Sequence, residues 1–357
     1  MPVRPCRISL RMASVAVAAT ATLVLAGLKT DAAPLAQAAA LSPVPLIVDT
    51  DISTNADDAG ALAIANALQD NGQVNLLGVM VDTPSRWGAP AVDAINTYYD
   101  HGNIPVGTHK PVDDSFSSPN YAQDLAQNYP NSIHDGANAP EAVGAYRKIL
   151  AAQPDHSVVI AAIGIETNLA DLLNSASDQN SPLTGAQLVA KKVRLLSMMG
   201  GIYPSGLEYN FAANRSAAVK VVNNWPTAAV FIGYEVGVNV MTGAELSQTP
   251  AINPVRKAYK IWGGRGTDIS SFDPIATLYA GLGTDGLFSL SVAGRNQVAA
   301  DGSNQWQNAP VKDQHYLVTA ASASTIADAL QALTTQPPQR HGHRPHRRLL
   351  SAARRFR

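Results

Sequence analysis

From Val44 onward, short apolar runs and helical patterns take turns along the chain, and this alternation limits the fold more than any other feature. "VPLIVDTD" has the unbroken apolar character of a strand covered on both faces. Asp57 to Leu68 then repeats apolar residues at helical spacing behind two acids. "VNLLGVMVD", "IPVGT", "SVVIAAIG", "KKVRLLSMMGG" and "AAVFIGYEVG" read as further strands, with "APAVDAINTYYDHG", "PEAVGAYRKILAAQ", "ETNLADLLNSA" and "NRSAAVKVVNN" as helices. Such a series predicts an α/β fold, with an open, mostly parallel sheet and helices on both faces. After Gly237 the pattern turns helical, most clearly in "DPIATLYAGLG", and Ser177 to Gly185 reads as a surface loop.

The two ends have a different character. Arg4, Arg7 and Arg11, an apolar run from Ala13 to Gly27 and then Ala36-Gln37-Ala38 have the layout of a secretory signal peptide over residues 1–39. The apolar run is short for a stable membrane span, so the expected location is secreted or extracytoplasmic. The sole cysteine, Cys6, lies in that segment, which leaves the folded part without a disulfide. Residues 336–357 hold seven arginines, three histidines and no acid, the composition of a basic disordered tail. Residues 40–335 are then a single catalytic-sized domain. The full chain has 26 Lys+Arg and 27 Asp+Glu, of which the ends take eleven bases and one acid. The middle keeps 15 bases against 26 acids, which disfavours a nucleic-acid partner and suits a cation or a neutral ligand.

In parallel sheets, ligands bind beyond the carboxyl ends of the strands. The polar residues there are Asp49, Asp51, Asp57 and Asp58, then Asp82 and Ser85, Thr167 and Asn168, Glu208 and Asn210, with Asp273 from a later helix. Four aspartates within ten positions repel one another and lose hydration unless a cation offsets them. Oxygen donors without cysteine point to Ca²⁺ or Mg²⁺. A helix start capped by Thr54 or Asn55 accounts for Asp57 and Asp58 but leaves Asp49 and Asp51 unexplained. An EF-hand loop is excluded, since its glycine and final glutamate positions hold Thr54 and Gly60.

Together, "VDTDISTNADDAGAL", "IAAIGIETNLADLL", "SMMGGIYPSGLEYNF" and "SSFDPIATLYA" resemble the calcium-dependent nucleoside hydrolases, and more closely a secreted-type branch with a D-T-D-I-x-x-x-x-D-D loop. The resemblance spans about Val44 to Ala280. It implies a Rossmann-like sheet and hydrolysis of the N-glycosidic bond of a ribonucleoside or related ribosyl compound. It also implies Ca²⁺ held by Asp51, Asp58, Asp273 and the Thr167 carbonyl, with Asp49 as a further candidate. Asp51 would be the base that deprotonates the attacking water. Asp57, Glu208 and Asn210 would grip the ribose, with Asp82 and Asn168 as additional substrate-side candidates. A homodimer or homotetramer is the expectation that comes with the family.

The chain departs from that pattern in four places. Asp51 and Asp57 have five residues between them where the ancestral-looking form has three, Ser53 stands where the loop usually has glycine, Asn214-Arg215 replaces Asp-Pro, and Phe272 replaces a histidine that several members use to protonate a purine leaving group. Two alternatives stay open: a nucleoside- or ribose-binding protein whose chemistry has lapsed, and a haloacid-dehalogenase-type phosphatase with Asp49 as nucleophile. Among other residues, His134 is a candidate displaced acid, His101 reads as a surface helix-end residue, and Trp262 and Trp306 are candidates for stacking on a base.

Overall fold

The computed structural model describes residues 42–339 apart from residues 54, 114–119 and 310–311. The expected leader, and the arginine-rich tail beyond residue 339, lie outside the described residues. Strands are β1 (Val44–Thr50), β2 (Val74–Val81), β3 (Val106–Thr108), β4 (Val158–Ala162), β5 (Val193–Met199), β6 (Ser205–Gly206), β7 (Ala228–Ile232), β8 (Met241–Thr242), β9 (Ile269–Ser270), β10 (Phe288–Leu290), β11 (Arg295–Val298), β12 (Asn304–Gln307) and β13 (Gln314–Thr319). The first helices are α1 (Asp57–Asp70), α2 (Gly88–Tyr98), α3 (Tyr121–Asn128), α4 (Ala142–Ala152), α5 (Thr167–Asn174) and α6 (Gly185–Lys192). They are followed by α7 (Tyr209–Ala213), α8 (Arg215–Asn224), α9 (Tyr234–Gly237), α10 (Pro254–Trp262), α11 (Asp273–Leu282) and α12 (Ala323–Thr334).

Eight strands form the central sheet in the order β10-β13-β7-β5-β4-β1-β2-β3, parallel throughout except for the β10–β13 pair. Successive residues of a strand serve opposite faces. In β1, Leu46 and Val48 join the core beneath α1, α2, α10, α11 and α12, while Ile47 joins the core beneath α4, α5, α6 and α8. In β4, Val159 and Ala161 divide from Val158, Ile160 and Ala162 in the same way. Both faces are covered, which is why these strands read as unbroken apolar runs. Helix α1 is buried all round from Asp57 to Leu68, so its five alanines are a packing requirement between sheet, α11 and α12.

Strand β1 has β2 on one side and β4 on the other, and the chain crosses from one half of the sheet to the other between β3 and β4. That reversal opens a crevice at the carboxyl ends of β1 and β4. The ends are level, because Asp82 N–H donates to the Thr50 carbonyl (3.0 Å) and Ile163 N–H to the Asp49 carbonyl (2.8 Å).

Some elements differ from the sequence expectation. Strand β7 stops at Ile232, and Tyr234–Gly237 turns into the short helix α9. Among the described residues, the region after Gly237 contains six short strands as well as helices. Helix α6 starts at Gly185, where the loop reading ended, with Thr184 and Gln187 forming a capping box. His101 is buried, with its ring 3.2 Å from Asp70 and 2.8 Å from Asn66, because the chain after α2 folds back onto the end of α1. Gln336 and Gln339, the start of the expected tail, bond to Asn71 and Asp70 at that same helix end. Among the described residues no helix is long and apolar enough to cross a membrane.

Candidate active site

Strand β1 delivers Asp49, Thr50 and Asp51 to the crevice, and the loop to α1 brings Asp57 and Asp58 back over them. Ser53 turns this loop with φ 137°, a conformation that normally selects glycine, so the chain keeps the glycine geometry without the glycine. Asp57 and Asp58 do not cap α1. The N-cap is Ala56 with no side-chain bond, and the Asn55 side chain accepts the adjacent Ala56 N–H. Asp57 Oδ2 instead accepts the N–H groups of Phe272 (3.0 Å) and Asp273 (3.2 Å) at the start of α11. Asp58 Oδ1 accepts the Thr50 hydroxyl at 2.5 Å. Two helix N-termini therefore face the same carboxylates, which favours negative charge there.

Each of these aspartates keeps one oxygen to spare. Asp57 Oδ1 and Asp58 Oδ2 are buried with no hydrogen-bond partner. Together with Asp273 they offer one oxygen each within 4.8 Å of one another. Burial, then repulsion from neighbouring aspartates, pushes Asp58 and Asp273 well above the usual carboxylate range, and burial raises Asp57 to about 6. Asp51 adds its charge to all three. Orphaned oxygens converging in a buried, acid-rich site fit a hard divalent cation, which the donor set would take as oxygen ligands.

Above this floor lies a cavity of about 500 Å³. Glu208 and Asn210 form one wall. Glu208 caps α7, accepting from the N–H groups of Asn210 (2.9 Å) and Gly201 (3.2 Å), and burial raises it to about 7. Asn210 donates to the Met199 carbonyl at the end of β5. Toward solvent the lining turns apolar and aromatic, with Leu207, Tyr209 and Tyr234 between 44% and 59% exposed, and Phe272 beside them. The Tyr234 and Phe272 rings stack with centroids 5.3 Å apart. Among the described residues, no lysine, arginine or histidine lines the cavity.

The model for inosine-uridine preferring nucleoside hydrolases matches residues 46–332, a span that contains this whole site. The chain belongs to that family. Solved structures with the same fold include the inosine-uridine preferring nucleoside hydrolase of Bacillus anthracis, with 13% identity over 82% of this chain and 99% of that one, at a TM-score of 0.58. An inosine-guanosine nucleoside hydrolase shares 19% identity over 81% and 98%, TM-score 0.61. The type III effector protein XopQ, complexed with adenosine diphosphate ribose, shares 16% over 84% and 96%, TM-score 0.62. No curated protein matches the sequence significantly.

Within the family fold, the sequence-nominated residues fall into two layers. Asp51, Asp57, Asp58, Asp273, Glu208 and Asn210 line the cavity. Asp49, Asp82 and Asn168 lie buried outside its lining: Asp49 accepts the Tyr146 hydroxyl at 2.6 Å and the Asn168 amide at 3.3 Å. Burial raises Asp49 to about 7 and Asp82, beside it, well above the usual range, so this pair resists full ionisation. Thr167 opens α5, and its hydroxyl accepts the Asn214 amide at 3.1 Å. Asn214 in turn caps α8, which explains the Asn-Arg replacement as an alternative helix start.

The remaining candidates lie away from the cavity. His134 is exposed and Trp262 is half exposed at the end of α10. Trp306 packs edge-on against Tyr203 and Tyr316. Sequence reading passed over Met199, Ile202, Leu207, Tyr209 and Tyr234. Tyr234 had a usable signal, since it stands two residues beyond the true end of β7, the position at which strand-end residues meet ligands.

Proposed function

We propose that this chain is a Ca²⁺-dependent N-ribohydrolase, exported after removal of its leader, that splits a ribonucleoside or related ribosyl compound into ribose and base. The observation that carries the reading is the orphaned oxygen of Asp58 beside Asp273, with the orphaned oxygen of Asp57 next to them in the cavity walled by Glu208 and Asn210. In this reading Asp51, Asp58, Asp273 and the Thr167 carbonyl hold the ion. When bound, Ca²⁺ offsets the buried charge and acidifies a water in the cavity. Asp51 accepts the proton of that water as its oxygen attacks the anomeric carbon. Asp57, fixed by two backbone N–H groups, uses its free oxygen with Glu208 and Asn210 to hold ribose hydroxyls in line. The acid-rich floor favours the positive charge that develops on the sugar as the C–N bond breaks.

The cavity lining, with no basic side chain among its described residues, disfavours the phosphatase alternative, which needs a clamp for phosphate. Phe272 in place of a proton donor favours one second reading, a ribosyl-binding protein without turnover. Ribose release from a panel of nucleosides separates them. Turnover that stops on chelation and falls at least about 10³-fold in Asp51→Asn supports the hydrolase. Undiminished turnover by that variant, with its circular dichroism unchanged, refutes the role given to Asp51.

A further inference from the structure

We propose, resting on the ribohydrolase reading, that the preferred substrates are ribosides whose base already carries a positive charge, the N-ribosylpyridinium class, and that the Tyr234–Phe272 stack is the subsite for that cationic ring. A neutral purine or pyrimidine departs as an anion unless an acid protonates it, and such an acid is worth about 10²–10⁴-fold in rate. The solvent-side lining offers Ile202, Leu207, Tyr209, Tyr234 and Phe272, none of which is an acid matched to neutral pH. The carboxyl groups lie elsewhere. The aspartates form the buried floor, and Glu208, whose oxygens accept the N–H groups of Gly201 and Asn210, belongs to the wall assigned to the ribose hydroxyls. A pyridinium leaving group needs no acid. Water oxygen bonds to the anomeric carbon, the C–N bonding pair passes to the ring nitrogen, the ring leaves neutral, and the water's proton goes to Asp51.

The same walls favour a cation before reaction. Tyr234 and Phe272 are stacked at 5.3 Å with 22° between their planes, and both line the cavity. Aromatic faces attract cations, the floor is acidic, and the described lining holds no base to repel one. The position of the Phe272 ring is built in. A Cβ on Gly237 would fall 2.6 Å from it, so the glycine of α9 makes the room that the ring occupies.

The test uses the full chain with Ca²⁺ and four substrates: 1-(β-D-ribosyl)nicotinamide, its neutral 1,4-dihydro form, inosine and uridine. The expected kcat/KM for the pyridinium riboside exceeds that for inosine and uridine by about 10³-fold, with the dihydro form uncleaved. Because pyridinium ribosides are also more reactive in solution, two variants tie the preference to the site. Phe272→His should raise the inosine rate at least about tenfold and shrink the preference. Tyr234→Leu should raise KM for the pyridinium riboside about fivefold more than for uridine. Inosine or uridine turned over within tenfold of the pyridinium riboside overturns this proposal and leaves the hydrolase intact. A preference unmoved by both variants also overturns it. No turnover of any substrate by Ca²⁺-loaded protein overturns the hydrolase reading itself, and this proposal with it.

Discussion

Stability of the Ca²⁺-free protein should fall as pH rises from 5 to 8, and Ca²⁺ should restore it most at the alkaline end. A carboxyl group whose proton affinity is raised by folding favours the folded state while it stays protonated. That contribution is complete below its unfolded pKa and is lost as pH rises through the folded one. Burial raises Asp57 to about 6 and Glu208 to about 7. At about 1.4 kcal/mol per pH unit, Asp57 loses its share from pH 5 to 6 and Glu208 from pH 5 to 7. The two together withdraw about 4 kcal/mol, or about 8 °C in Tm at ~2 °C per kcal/mol for a chain of this size. Ca²⁺ at a hundredfold its Kd returns about 2.7 kcal/mol, and because it competes with protons for carboxylate oxygens it binds more tightly as pH rises. Thermal melts in chelator and in excess Ca²⁺, at half-unit pH steps, measure both effects. Glu208→Gln removes one titrating group and should make the chelated curve shallower between pH 5 and 7, by about 3 kcal/mol over those two units. A chelated Tm that is level or rising across this range, or a Ca²⁺ effect equal at pH 5 and pH 8, refutes the reasoning.

Two packing predictions concern the same site. Ser53→Gly should raise stability by about 1–2 kcal/mol, read as a higher Tm, because it relieves a φ of 137° and removes a buried hydroxyl with no partner; an unchanged or lower Tm would show the loop to be unstrained. Gly237→Ala should cost about 1–3 kcal/mol and weaken Ca²⁺ binding in calorimetry, since the added Cβ meets the Phe272 ring at 2.6 Å and the Ser271 carbonyl at 2.9 Å, next to Asp273. Unaltered Ca²⁺ affinity would mean that Phe272 moves without carrying Asp273.

The parallel half of the sheet was legible because burial on both faces writes itself as apolar runs, as in Val44–Thr50 and Val158–Ala162. The later strands were not. Asn304–Gln307 reads NQWQ and Arg295–Val298 reads RNQV, polar stretches paired in a separate three-stranded sheet, where propensity and periodicity carry little signal. His101 was misplaced for a related reason. A polar ring looks like surface until the fold supplies Asp70 and Asn66 as buried partners.

The site divides along the same physical line. Its floor was readable because repulsion among Asp49, Asp51, Asp57 and Asp58 demands a cause, and a cause can be sought in the sequence alone. Residue type did not reveal how that floor separates. Asp57 and Asp58 look like helix-start acids, yet each has one oxygen consumed across the fold, by α11 and by Thr50, and one left over. Asp49 looks equivalent to Asp51 two residues on, but β1 ends at Thr50: Asp49 stays on the strand, bonded to Tyr146 and Asn168, while Asp51 leaves it and lines the cavity. The aromatic mouth was least legible, since Tyr209 and Tyr234 sit on helices of five and four residues that no periodicity can announce. Phe272 links the two regions. Its N–H anchors Asp57 in the floor while its ring stacks on Tyr234 at the mouth, so the backbone of one residue serves the acids and its side chain the aromatic lining.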